Sequence, residues 1–363
     1  IRSFNSQHFS IHEQEWMKTS GILAEDKKNF DNNYLINIGK ALYRSLFPEG
    51  KVENAFKAAL RLAEHKSTQL HIQLRFEDDS SKRSRLADYP WELLHDGQDF
   101  LLHHQVTFSR YIAHDALPPN LSAFDQLNVL LVSSAAFDKE LGLKKLSKKE
   151  QQAIYKGLES AHDAGHINLD ELNDATVDEL RKYLTEYQGK DAPHVVHFDG
   201  HGIFAKRCKN ENCRTIHKRI SATHCNKCNS ELPKAQGYLA FESEGDKPDY
   251  VSAKELGALL QQTSFADGSQ KPGGVALVVL SACQSAMALE GESVFNGTAQ
   301  NLINHRIPAV VAMQYSVGVD AATEFAKQFY RSLGEKNSLA VAISQGREAM
   351  GVEGNQWYRP VLF

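Results

Sequence analysis

The side chains able to do chemistry in this chain gather at two places. Cys208, Cys213, Cys225 and Cys228 fall close together, while the fifth cysteine, Cys283, stands alone. Cysteines paired at spacings of two to four residues form tight turns whose thiolates converge. Two such turns complete a tetrahedral zinc site with no open position, so one structural zinc per chain is expected. Two local disulfides or idle surface thiols are the competing readings, and a reducing compartment disfavours the first. His217 and His224 are further ligand types nearby, but four cysteines leave no vacancy for them. The segment 205–235 is poor in apolar residues, so its folding should be coupled to the metal. Lysine and arginine outnumber Glu211 and Glu231 within it, and that charge is expected to favour acidic stretches of a partner. A nucleic-acid-binding ribbon would suit the charge but has no aromatic interleaving to support it.

The second place joins two strand ends. His194-Val-Val-His-Phe-Asp-Gly-His201-Gly202 reads as a strand running into a glycine-bracketed histidine, and Val278-Val-Leu-Ser-Ala-Cys283 as a strand running into a cysteine among small residues. A histidine beside a cysteine can deprotonate the thiol, and small neighbours let backbone amides approach a reacting carbonyl. A lone cysteine after an apolar strand is also a common core residue, and these residues alone leave both readings open. His197 reads as a hydrogen-bonded core histidine. A metal site of His194, His197 and His201 would tie up the candidate base.

These groups need elements to position them. Leu35 to Phe47 and Ala55 to Glu64 recur at helical spacing, and Leu70, Ile72, Leu74 and Phe76 alternate with polar residues as in a half-exposed strand. Asp78 to Arg85 reads as a loop, Phe100 to Ile112 as a second extended stretch, and Pro118-Pro119 as a break. From Leu127 onward, continuous apolar runs at Val129–Val132, Val195–Phe198, Tyr238–Phe241, Val275–Leu280 and Ala309–Met313 predict strands covered on both faces. Helical stretches are predicted at Lys148–Ala164, Val177–Tyr187, Ala253–Gln262, Val294–Asn304, Ala321–Leu333 and Leu339–Met350. Strands alternating with helices imply an α/β layer with a mostly parallel sheet, whose working residues lie beyond the carboxyl ends of the strands.

With 41 basic and 45 acidic residues, the formal charge of −4 disfavours a whole-protein polyanion binder. No apolar run approaches the length of a membrane span, so no membrane partner is expected. No secretory signal opens the chain, and a cytoplasmic location is expected. The start at Ile1 reads as a fragment or a processed product.

The pair His-Phe-Asp-Gly-His-Gly and Leu-Ser-Ala-Cys-Gln-Ser-Ala resembles the CHAT family of bacterial caspase-like and separase-like cysteine peptidases (clan CD). Tyr89-Pro-Trp-Glu-Leu-Leu94 with Arg110 beyond it, Gly237-Tyr-Leu-Ala-Phe-Glu242, Gly297-Thr-Ala299 and Ile307-Pro-Ala-Val-Val-Ala-Met-Gln314 agree with the resemblance. It covers roughly Ser67 to Phe363, with the cysteine-rich insertion as the main departure. It implies a caspase-like α/β fold: a helical and extended region at 1–125 packing on a peptidase domain at 126–363, with the zinc ribbon at 205–235 inside it. Cys283 is then the nucleophile, His201 the general base and acid, and the backbone amides of Gly202 and Cys283 the oxyanion donors.

No triad carboxylate is required, so Asp199 is not given that role. In separase-like relatives an acid that recognises a basic P1 side chain lies in the segment that here reads Gln314-Tyr-Ser-Val317, where Ser316 stands in its place. Asp199, Ser281, Gln314, Ser316 and Asp320 are the expected pocket, and a strong arginine preference is expected to be weaker than in separases. The resemblance implies a regulated endopeptidase acting on protein partners in a bacterial antiviral or cell-death system, with a separate or fused sensor module as activator. The alternative is a catalytically silent scaffold whose ribbon binds protein or nucleic acid.

Overall fold

A computed structural model describes residues 30–76, 89–103, 106–112, 125–143, 145–219, 221–245, 247–261, 274–281, 294–314, 317–351 and 356–363, with isolated positions at 15, 18, 19, 23 and 86. The loop expected at 78–85, Pro118-Pro119, Cys283 and Ser316 lie outside the described residues. In chain order the elements begin with α1 (Asn32–Leu46), α2 (Lys51–His65), β1 (Leu70–Phe76) and β2 (Val106–Ile112). They continue with β3 (Leu127–Ser133), α3 (Lys148–Gln151), α4 (Ala153–Asp163), β4 (Ile167–Glu171), α5 (Val177–Glu186), β5 (Val195–Asp199), β6 (Gly202–Arg207) and β7 (Ile216–His217). The last are β8 (Gln236–Phe241), β9 (Asp249–Ser252), α6 (Ala253–Gln261), β10 (Leu277–Ser281), α7 (Val294–Asn304), β11 (Ala309–Met313), α8 (Val319–Gly334), α9 (Leu339–Ala349) and β12 (Pro360–Leu362).

Six strands form the central sheet in the order β12-β11-β10-β5-β3-β4. Five run parallel, and only β12 is antiparallel, against β11. Every residue of β5 and β10 is buried, which is why these strands read as unbroken apolar runs. Alternate residues face opposite layers. Val132, Phe198 and Leu280 pack on one face with Leu180 of α5, Leu256 of α6 and Leu302 of α7. Leu131, Val195 and Val279 pack on the other with Leu158 of α4, Phe325 of α8 and Ile343 of α9. Gly157 lets α4 and α8 touch, since a Cβ there would lie 2.7 Å from the Thr323 carbonyl oxygen.

The structure differs from the sequence reading at several elements. Tyr238–Phe241 is no part of the parallel sheet: it belongs to β8, in a separate antiparallel sheet of order β7-β6-β8-β9. Its apolar run is buried because this sheet lies between the parallel sheet and the loop after β3, so burial alone could not name its partners. The helix expected over Lys148–Ala164 breaks at Gln152 into α3, which opens with a Ser147 capping box, and α4. The stretch expected at Phe100–Ile112 is a 3-10 turn at Leu101–His103 followed by β2. Strand β4, with two of its five residues at least partly buried, and the three-residue β12 carry too little apolar periodicity to read.

The amino-terminal elements form a covering layer. β1 and β2 pair in parallel, from Leu70 opposite Val106 to Phe76 opposite Ile112, under α1 and α2. A buried ionic cluster fastens this layer to the main sheet. Glu92 pairs with Arg110, lies 3.9 Å from Arg347 on α9, and both carboxylate partners are within the core. Arg110 also donates to Gln314 Oε1 at 2.8 Å, just past β11. Glu92→Ala leaves two buried guanidinium groups short of their counter-charge. The expected loss is about 3–5 kcal/mol, read as a lower urea midpoint with an unchanged slope.

Candidate functional site

From β3 the chain crosses to β4 on one side of it, while β5 lies on the other, so the strand order reverses between β3 and β5. The crevice beyond their carboxyl ends is where parallel α/β sheets place ligands. Three loops are tied together at this edge. Ser134 N–H donates to the Asp199 carbonyl at 2.8 Å, Gly200 N–H donates to the Ser281 carbonyl at 3.2 Å, and Ser134 Oγ–H donates to the Ala240 carbonyl at 2.8 Å. Gly200 is needed for this approach, because a Cβ would sit 3.0 Å from that of Ser134.

His201 follows directly and is fully buried. Its carbonyl accepts the Ala240 N–H at 2.9 Å, making His201 and Ala240 a hydrogen-bonded pair at the start of the β6–β8 ladder. In an antiparallel ladder the next pair, Gly202 with Leu239, is not hydrogen-bonded, so the Gly202 N–H is directed away from β8. The parallel ladder aligns Ser281 with Asp199, so the segment leading to Cys283 and the one leading to His201 leave the sheet side by side. Cys283 itself lies outside the described residues.

Of the five pocket residues expected from the sequence, Asp199 and Ser281 meet at this edge. Both are buried, and Ser281 faces inward, its hydroxyl 2.7 Å from His197 Nε2. Gln314 is also turned into the core, engaged by Arg110. Asp320 is exposed at the start of α8 and pairs with Lys149 at 2.9 Å, and Ser316 lies outside the described residues. Burial, with a smaller contribution from the nearby Glu150 charge, pushes the Asp199 carboxyl up to about 8. At neutral pH it is therefore mainly protonated and supplies no counter-charge to a basic side chain. His197 is the core histidine expected from the sequence: burial holds it neutral, its ring down at about 3.

The four clustered cysteines converge as their spacing predicts, all sulfurs lying within 4.8 Å of one another. Cys208 Sγ lies 3.4 Å from Cys228 Sγ, and Cys213 Sγ 3.7 Å from Cys225 Sγ. Tetrahedral thiolate coordination at ordinary bond lengths puts sulfurs about 3.8 Å apart. The turns place polar groups beside the sulfurs: Thr215 Oγ1 lies 3.2 Å from Cys213 Sγ, Cys228 Sγ–H donates to Ser230 Oγ at 3.3 Å, and the Lys227 N–H donates to Cys225 Sγ at 3.4 Å. Bonds with Ser230 and Thr215 lower the Cys228 and Cys213 thiols, favouring the thiolate that binds metal. His217 also reaches Cys225 Sγ at 3.3 Å, as a neighbour of the site rather than one of the four. Among the described residues, the cluster around these cysteines adds Leu232 as its one buried apolar side chain, with Ala222 partly buried. These residues fit a metal ion, and the donor set is that of a closed structural site.

Part of the insertion's basic charge is paired with carboxylates, while Lys209, Arg219, Lys227 and Lys234 are exposed. Arg207 pairs with Glu255 at 2.5 Å, and Arg214 lies 3.9 Å from Asp249. Both arginines line a cavity of about 730 Å³ whose other walls carry Asp174, Asp178, Glu242 and Glu244. The face between the insertion and α5 is thus net acidic, and acidic stretches of a partner would be repelled there.

The buried Asp199 carboxyl has a consequence for stability. The folded chain holds a proton that the unfolded chain releases near pH 4, so this contribution is complete below that value and is lost as pH rises through about 8. Asp199→Asn is expected to gain on the wild type by a few kcal/mol between pH 5 and pH 9. Urea unfolding at both values checks this, and an unchanged gap would show that the carboxyl is not held neutral.

Among known proteins, the CHAT domain family matches residues 37–357. The solved structure of the Arg-specific cysteine proteinase gingipain R is 12% identical over 96% of this chain and 72% of that chain, with a TM-score of 0.41. A complex of the pro- and mature domains of the Porphyromonas gingivalis enzyme is 11% identical over 92% and 76%, with a TM-score of 0.39. The Saccharomyces cerevisiae separase–securin complex is 16% identical over 76% of this chain and 14% of that chain, at 0.38. No curated protein matches. The family match spans most of the sequence, including every element of the parallel sheet but β12, and on that ground the chain belongs to the CHAT domain family.

Proposed function

We propose that this chain is a cysteine endopeptidase with Cys283 as nucleophile and His201 as its base and acid. The observation that carries the reading is the β5–β10 register, with Ser281 opposite Asp199: His201 lies two residues beyond one strand end and Cys283 two beyond the other. In this reading the His201 imidazole takes the thiol proton as sulfur attacks the scissile carbonyl carbon. It then returns the proton to the departing amine, leaving a thioester that water hydrolyses. The N–H groups of Gly202 and Cys283 receive the oxyanion, a charge that develops only in the tetrahedral intermediate.

Residues 126–363 form the peptidase domain in this proposal, and residues 1–125 pack on it. The substrate is a protein partner, and a bacterial defence or cell-death role with a separate activator follows from the family's habits. Full burial of His201 supports a resting state whose base is closed off until such a partner acts. The same burial is what a silent scaffold would show, with the metal-held insertion as its binding surface. Peptide libraries ranked by the P1 residue, with Cys283→Ala as the blank, decide between them. Cleavage by the wild type alone is expected, without an arginine-only profile, and equal processing by both proteins would end the peptidase reading.

The ion proposed for the four cysteines is zinc, which has no redox chemistry and suits a closed tetrahedral thiolate site. It would supply structure to the insertion and take no part in the reaction. About one zinc per chain is expected by elemental analysis. Chelation should open new protease-sensitive bonds within residues 206–234 while the parallel sheet stays folded. A metal-free protein that resists cleavage there would overturn the assignment.

A further inference from the structure

The parallel sheet encloses one polar chain that the proposed chemistry does not use. His197 on β5 is fully buried between Tyr330 on α8, whose hydroxyl lies 2.9 Å from Nδ1, and Ser281 on β10, whose hydroxyl lies 2.7 Å from Nε2. The imidazole and phenol rings also stack, with centroids 5.8 Å apart and planes inclined by 29°. The proton order along this chain follows from the partners. Among the described residues the Tyr330 hydroxyl meets only the His197 ring, and a buried hydroxyl needs an acceptor for its proton. Tyr330 therefore donates to Nδ1, the neutral ring carries its own proton on Nε2, and Nε2–H donates to Ser281 Oγ.

Ser281 then joins three elements at one residue. Its side chain is fixed through His197 to α8, its carbonyl accepts the Gly200 N–H at 3.2 Å, and its backbone pairs in register with Asp199. Gly200 is the residue before His201, and Ser281 is two residues before Cys283. Any rotation of the Ser281 side chain or slip of the β10 end breaks a buried hydrogen bond in a place water cannot reach.

We propose that Tyr330, His197 and Ser281 are positioning residues that hold the end of β10, two residues before Cys283, in register with the end of β5 that leads to His201. This deepens the peptidase reading and rests on it for its meaning, although it can be measured without peptide cleavage. The three side chains act through Ser281 and touch no substrate.

Tyr330→Phe removes one oxygen and keeps the stacked ring, so the variant should fold. The probe is iodoacetamide, with alkylation of Cys283 followed by mass spectrometry against pH on the intact, metal-loaded protein. The cysteines of the insertion serve as an internal reference. The expected result is a fall of about tenfold in the Cys283 alkylation rate at neutral pH, the size of one lost hydrogen bond, with the reference cysteines unchanged. His197→Gln keeps a donor toward Ser281 and should lose less than His197→Ala at matched thermal stability.

An alkylation profile of Tyr330→Phe that overlays the wild type overturns the positioning role, as does equal behaviour of His197→Gln and His197→Ala. Equal peptide cleavage by the wild type and Cys283→Ala, with wild-type Cys283 alkylation still dependent on Tyr330, would overturn the peptidase reading and leave the positioning role standing.

Discussion

The ladder between β5 and β10 is the contact on which the rest of this molecule depends. Both strands are buried from end to end, and their side chains are apolar except His197, Asp199 and Ser281. Helices cover each face, and chemistry can appear only where the strands end. There, parallel pairing brings the ends of both strands to the same edge. His197 and Ser281 are the polar exceptions in the ladder that partner each other, and Tyr330 completes the arrangement from α8. A buried polar chain of this kind contributes little net stability when complete and is costly when broken. Its physical effect is a unique register.

Around that ladder, two outlying parts are attached by different forces. The amino-terminal layer shares the apolar core, through Leu35, Leu93 and Phe100 against Trp357, and adds the Glu92 cluster with Arg110 and Arg347. The insertion has almost no apolar core of its own, and convergent thiolates replace it. It is nevertheless continuous with the candidate site, since β6 begins at Gly202 beside His201 and ends at Arg207 beside Cys208. The two ends of β6 are held separately. β8 pairs with residues 202–205, and β7, part of the metal-held segment, pairs with residues 206–207.

Electrostatics at the site are set by burial more than by charge pairing. Asp199 is held neutral at an edge where a sequence reader would put an anion, and His197 is held neutral where the sequence shows a titratable ring. Arg207 and Arg214 of the insertion are partnered by Glu255 and Asp249 across the acidic cavity. The cavity beside the insertion is thus net acidic although the insertion itself carries exposed basic residues.

Strands β3, β5, β10 and β11 of the parallel sheet were legible because a strand buried on both faces must be continuously apolar, and the four-cysteine cluster was legible because its spacing is a coordination geometry. The break at Gln152 was not, since α3 and α4 keep helical periodicity across it, nor was the placement of Tyr238–Phe241, whose apolar run suits a strand of either sheet. Composition and local spacing determined which buried segments are strands, which thiols converge and which strand ends lead to a histidine and a cysteine. Only the tertiary structure decided which strands are neighbours, which polar side chains are turned inward and which carboxyl loses its charge. Those depend on residues distant in the sequence, as Tyr330 is from His197, and no local pattern encodes such a contact.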